Sequence, residues 1–285
     1  MSETGETPGG GPVAGGAADV AAQGAAKAAE AVPARAAGLL PPVRTVGMGA
    51  PFRWLAGGWS DLRKAWIPCL IYGGVLAGLS FLTSLVLVLT DASFLALVLT
   101  CGFVFIAPML GMGLYEAGRL IEKGETPTLP RMAFVKRAFS QDVAYLGLFL
   151  LLIYLLWGRI AQLVYGLSTW NLHDSVSKFV TFALTTSEGH TMLMTGSLIG
   201  GVIAFFTYMI VVVAAPMLLD RQTNVFAATV TSFTAVAANP LPMALWAVLI
   251  VLLLLASAAT AFALLVIVFP LLGLASWRAY RDLVG

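Results

Sequence analysis

The chain has 285 residues; 59% are apolar, only 11% are charged, and the formal net charge is +2. Mean hydropathy is +0.91. A soluble domain carries about 25% charged residues, so this chain lacks the polar surface to cover itself in water and reads as a membrane protein.

The same counts narrow the function. So small a net charge gives no reason to expect a nucleic-acid partner. Two histidines, His173 and His190, are too few for a site built from several imidazoles. Cys69 and Cys101 fall inside apolar runs, which excludes a disulfide scaffold.

Residues 1 to about 50 are Ala, Gly and Pro with scattered charges and no apolar periodicity. Such a stretch cannot bury enough surface to offset its ordering entropy, so a disordered tail is expected, with at most a short helix around Ala21–Val32. It lacks the basic start, apolar core and cleavage site of a signal peptide.

A hydrocarbon core about 30 Å thick takes about 20 apolar residues per helix. Pro68–Thr90 and Phe94–Tyr115 reach that length, joined by Asp91, Ala92 and Ser93. Val143–Tyr165 and Gly196–Leu219 are two more, and Leu241–Ala275 is too long for one crossing. Basic residues of short loops collect on the cytoplasmic side. With six helices and both termini inside, 14 of the 16 basic residues are cytoplasmic, leaving Arg159 and Lys178 on the other side. The last stretch therefore splits near Ser257–Thr260. The fold expected is an all-α bundle of six transmembrane helices (about 68–90, 94–115, 143–165, 196–219, 241–258 and 260–282), making a membrane domain over 51–285.

The helices group as three hairpins, each preceded by an interfacial amphipathic segment. The apolar stripes are Leu55, Trp59, Leu62 and Trp66; then Leu129, Met132, Val135 and Phe139; then Phe226, Val230, Phe233 and Ala237. The hairpins also end alike. Pro108 precedes Arg119, and Pro270 precedes Arg281, by eleven residues each, while Pro216 opens the middle one and stops at Asp220 and Arg221. Eleven residues are about three helical turns, so proline and arginine share a face. Kinks are expected at the three prolines. Beneath them, Arg119 and Arg281 are expected to turn inward to Asp61, Glu116 or Asp220, with Asp282 in the same charged set.

These segments resemble a known family. Phe52-Arg-Trp-Leu-Ala-Gly-Gly-Trp-Ser-Asp-Leu, Gly102 through Pro108, Gly113-Leu-Tyr-Glu and Arg119 look like its first half. Pro216-Met-Leu-Leu-Asp-Arg, Ser232, Asn239, Pro242-Met with Trp246, Pro270-Leu-Leu-Gly and Ala279-Tyr-Arg-Asp-Leu look like its second. The family is a proteobacterial group of uncharacterised multi-pass inner-membrane proteins with a domain of unknown function, some labelled putative cytochrome c oxidase subunit. It brings no established activity or catalytic residues.

Against that label, a catalytic oxidase subunit needs several histidines within the bilayer to hold haem and copper, and the expected helices have none. No cofactor, metal or catalytic residue is assigned. His173-Asp174 with Glu188 and His190 lack ligand spacing on a common element. Arg159 reads as an interface anchor beside Trp157 and Tyr165. Thr83, Ser84, Gln162 and Thr207 read as interhelical hydrogen-bonding groups. Gly74 with Gly78, and Gly196 with Gly200, read as close helix packing. The partners expected are the lipid bilayer and another membrane complex, respiratory complexes included, or a second copy of the chain. The leading reading is a non-enzymatic structural or accessory protein; the alternative is a transporter or channel for a small neutral or apolar solute.

Overall fold

A computed structural model describes residues 40–90, 93–169 and 176–285, with the backbone alone at 93–97, 101 and 176. The expectations for residues 1–39, the Asp91–Ala92 turn, the Cys101 side chain and His173-Asp174 lie outside the described residues. The chain divides into Met1–Pro41 and Pro42–Gly285, and the second unit is described below.

Among the described residues every regular element is helical. The helices are α1 (Ala50–Lys64), α2 (Trp66–Leu89), α3 (Ser93–Leu110), α4 (Met112–Glu122), α5 (Leu129–Ala133), α6 (Gln141–Ser168), α7 (Val176–Thr185), α8 (Ser187–Val211), α9 (Ala214–Asp220), α10 (Val225–Ala238), α11 (Pro240–Ala259) and α12 (Leu265–Val284), with a 3-10 turn at Lys136–Phe139. Four stretches are long and apolar enough to cross a membrane: α2, α6, Ser187–Asp220 and α11. A fifth counts if α3 and α4, bent by 42° at Gly111, make one crossing.

Local chemistry sets several boundaries. Pro51 opens α1, and Arg63 and Lys64 close it where the helix dipole favours cations. Ser140, Thr186 and Asn224 accept backbone N–H bonds at the starts of α6, α8 and α10. Between α11 and α12 the chain turns through Ala261 (φ 48°) and Phe262 (φ 66°). There Thr260 Oγ1 accepts from Leu264 N at 3.1 Å.

The centre of the unit is α12, with thirteen of its twenty residues buried. Its buried residues surround the helix rather than forming one stripe, as suits a central helix, and α12 packs most extensively on α1 and α2. Pro270 removes the N–H that the Val266 carbonyl would accept. Gly73 of α2 lies against that carbonyl and the proline ring, where a Cβ would overlap both. The chain continues helical through Pro270, whereas helix breaks fall at Gly111, three residues after Pro108, and at Val212–Val213, before Pro216. The Val213 amide next to that second break donates to Ser232 Oγ at 3.1 Å, a fully buried hydroxyl.

Several expectations need correction. The end of the anticipated tail is ordered: Arg44 N donates to Leu283 O at 2.8 Å, and Val43 and Val46 pack on the core. The second interfacial segment is α5 plus the 3-10 turn rather than one helix, with Met132 and Val135 buried but Phe139 exposed. On α1 the buried face is Trp54, Gly58, Asp61 and Leu62, while Trp59 faces out, as does Trp66 at the start of α2. The α10 stripe needs no correction: Phe226, Val230, Phe233 and Ala237 all face outward, as an interfacial segment requires, and Thr231 and Ser232 face the protein. Gly74 and Gly78 touch nothing, and their neighbour Gly73 makes the close contact instead. Gly200 is tight against Trp157, and Gly196 meets Val164 only at ordinary contact distance. The stretch 176–195 holds α7 and the first turns of α8 rather than a loop.

Candidate functional site

The charged side chains concentrate at one end, where α1, α4, α9 and α12 meet. Asp61 is almost fully buried. It accepts two hydrogen bonds from Arg278, Nε to Oδ2 at 2.6 Å and Nη2 to Oδ1 at 2.8 Å. The planar guanidinium matches a carboxylate in this fork arrangement, which a lysine cannot reproduce. Lys64 Nζ adds a longer contact of 3.3 Å, one turn on. Reach depends on glycine: a Cβ at Gly57 would overlap the Arg278 side chain, and one at Gly58 the backbone of Ala275.

Three further links join the same helices. Glu122 of α4 accepts from Trp277 Nε1 at 3.1 Å and Arg281 Nε at 3.0 Å, and Arg281 also lies 3.5 Å from Asp220. The Tyr280 hydroxyl donates to Asp220 at 2.7 Å and accepts from Arg221 Nε at 3.0 Å. Arg221 Nη2 donates to Val284 O at 2.6 Å, satisfying a carbonyl orphaned at the end of α12. Asp282 accepts from Trp54 Nε1 at 2.9 Å. Trp54 in turn meets Trp246 edge to face at 5.7 Å between ring centroids.

Two other arginines act locally. Arg119 makes both bonds (2.7 and 2.6 Å) to Glu116, one turn earlier on α4. Arg137 donates to the carbonyls of Leu219 and Asp220, capping α9. Asn239 holds the entering chain: Val46 N donates to its Oδ1 at 2.7 Å, and its Nδ2 donates to Arg44 O at 3.0 Å.

The expected charged residues Asp61, Glu116, Arg119, Asp220, Arg221, Arg281 and Asp282 thus lie on the four helices that meet here. Their pairing differs from the expectation in one respect: the buried Asp61 takes Arg278, while Arg281 takes Glu122 and Asp220. Sequence reasoning counted Arg278 only among the basic residues of the cytoplasmic side, held Trp54 and Tyr280 only inside the motifs of the resemblance, and gave Glu122 and Trp277 no role. Gly57-Gly58 in α1 and Gly118 in α4, which abuts Trp277, were the available signals of close approach. At the opposite end, His190 Nε2 lies 2.8 Å from Leu184 O, and Glu188 accepts from Ser187. Arg159 is exposed and donates to Gln162 at 3.2 Å. Thr207 is buried and donates to Ile203 O on its own helix.

Among the described residues, three cavities bear on function. One of about 450 Å³ lies among the charged residues, lined by Trp54, Trp277 and Ile121 with Arg53, Lys64 and Arg278. A small one of about 100 Å³ is lined by Pro108, Tyr115, Thr207 and Tyr208. The third, about 390 Å³, sits away from the charges among α3, α6, α8 and α11, lined by Phe105, Trp157, Met192, Gly200 and Leu255. It shares Val104, Phe105, Ala204 and Leu254 with the small one.

Residues 95–220 match the model of a family described as predicted integral membrane protein (DUF2189), a domain of unknown function. The matched stretch runs from α3 to the end of α9 and includes Pro108, Glu116, Arg119, Pro216 and Asp220. No curated protein and no solved structure matches the chain.

Proposed function

We propose that the chain is a six-crossing protein of the bacterial inner membrane, with both termini and the charged end in the cytoplasm. On this reading it acts without catalysis, as a structural or accessory partner of a membrane complex. The crossings would be α2, α3 with α4, α6, α8 with α9, α11 and α12. The observation that carries the reading is the engagement of the charged groups with one another across α1, α4, α9 and α12. Such ties make one end a rigid platform and direct no charged group into the apolar half above it. A basic excess at that end supports the cytoplasmic side. Extraction from native membranes in mild detergent tests the role: a second membrane protein in stoichiometric amount is expected, and a particle of this chain alone would overturn it. Reporter fusions at Gly285 and near Ser187 test the topology, with a cytoplasmic and an external signal expected in that order.

A second reading is favoured by the cavity of about 390 Å³, which is within the range of ligand sites. Its walls are mostly apolar, with Thr100, Ser197 and Ser257 among them and Thr207 and Tyr208 just beyond, as suits passage of a small neutral or apolar solute. Flux of such a solute into proteoliposomes, blocked when Gly200 or Gly201 is enlarged to leucine, separates this from the accessory role.

A further inference from the structure

The groove of about 450 Å³ at the charged end holds four cations, Arg53, Lys64, Arg278 and Arg281, against three acids, Asp61, Glu122 and Asp282. The acids are already engaged. Both oxygens of Asp61 go to Arg278, those of Glu122 to Trp277 and Arg281, and Asp282 accepts from Trp54. Arg53 is left with a 3.7 Å contact to Asp282, and Lys64 with a 3.3 Å contact to the already doubly bonded Asp61. Their side chains remain 64% and 59% exposed. The two stand eleven residues apart on α1, so they share a face about 16 Å apart along the axis, one towards each end of the groove. Trp59 and Trp66 are exposed on either side of Lys64, the placement of tryptophan at a headgroup boundary.

We propose that this groove binds a phosphate-bearing anionic ligand through Arg53 and Lys64, the chemistry shared by an anionic phospholipid headgroup and a soluble phosphate. Basic pockets between helices at the cytoplasmic face suit such headgroups, and two exposed cations with preoccupied counter-ions supply the charge. The inference goes beyond the accessory role and does not depend on it, since a lone particle can bind the ligand equally well.

The test uses the full chain, delipidated in neutral detergent, with the melting temperature followed as each probe is added. Phosphatidylglycerol is expected to raise it saturably, phosphatidylcholine to leave it unchanged, and native mass spectrometry to count a discrete bound lipid. The double variant Arg53→Gln/Lys64→Gln is expected to bind at least tenfold more weakly, and the off-groove pair Arg63→Gln/Lys136→Gln to bind as the wild type does. A rise with phosphatidylglycerol alone assigns the site to lipid. A rise with inorganic phosphate, also lost in the groove variant, assigns it to a soluble phosphate. Absence of a rise with both probes, or an equal loss in the two double variants, overturns the proposal. Should the groove variant not fold, absence of both discrete lipid binding and a phosphate-induced rise in the wild type overturns it alone.

Discussion

The charged end and the apolar far half of this molecule are built on opposite principles. At the charged end Trp54, Trp277, Tyr280 and Asp61 are buried and each finds a polar partner on another helix. In the far half the buried groups are two small clusters, Val98, Phe105, Trp157 and Ala161, and then Tyr165, Phe179, Ala183 and Met192. Beside them the cavity of about 390 Å³ stays open. In a bilayer, leaving lipid for protein gives an apolar side chain little gain. Packing and polar links therefore decide which part closes tightly. Where acids, arginines and glycines coincide, the helices are tied by charge; in the far half they meet through Gly102, Gly200 and the single Trp157 Nε1 bond to Val98 O, and leave an apolar cavity beside those contacts.

The largest break in this contrast is expected from Arg278→Ala. It leaves the buried Asp61 without its arginine, a loss of about 3 kcal/mol, read as the melting temperature in detergent. The far-half control is the outward-facing, apolar Leu156→Ala, expected to change little.

Glycine enlargement sharpens the comparison. Gly73→Leu drives a side chain into Val266 O and Pro270, and overpacking of this kind costs about 1–3 kcal/mol. Gly201→Leu enters the far cavity, where nothing lies within 4 Å of a Cβ, and is expected to hold or raise the melting temperature. Equal destabilisation by the two would dissolve the distinction between a locked and an open half.

The other arginines give smaller, graded effects. Arg119→Ala exposes the buried Glu116 as an unpaired acid, so it is expected to exceed Arg281→Ala. In the Arg281 pairing with Glu122 both partners are substantially exposed, which limits its loss to about 1 kcal/mol. Arg131→Ala is the smallest. The hydrogen bond from Arg131 holds the Glu125 carboxyl below the usual carboxylate range. A depressed folded-state pKa stabilises above the unfolded value and is lost as pH falls through the folded one. This variant is therefore expected to differ from wild type at neutral pH and to converge with it in acid.

Much of the helical layout was legible from length and hydropathy: α2, α6 and α11 lie on runs the sequence marks plainly. The direction each helix faces was not. On α1 Trp59 and Leu62 belong to one apolar stripe, yet Trp59 points outward and Leu62 inward. Lipid and protein interior are both apolar, so periodicity marks a stripe without saying which side is the protein. The charged set was legible as a cluster because basic residues gather at one end. Its pairing was not, because the eleven-residue proline spacing singles out Arg281. What selects Arg278 is the glycine pair in α1, a contact between residues more than two hundred apart in sequence.

The central claim is that the Asp61–Arg278 pair locks α1 onto α12, and a double-mutant cycle on those two residues tests it most directly. The melting temperatures of Asp61→Asn, Arg278→Gln and the double variant are measured together under one detergent condition. The account predicts that Arg278→Gln, which strands a buried carboxylate, melts lowest, and that adding Asp61→Asn restores part of the loss. Strictly additive losses, with the double variant melting lowest of the three, would contradict it.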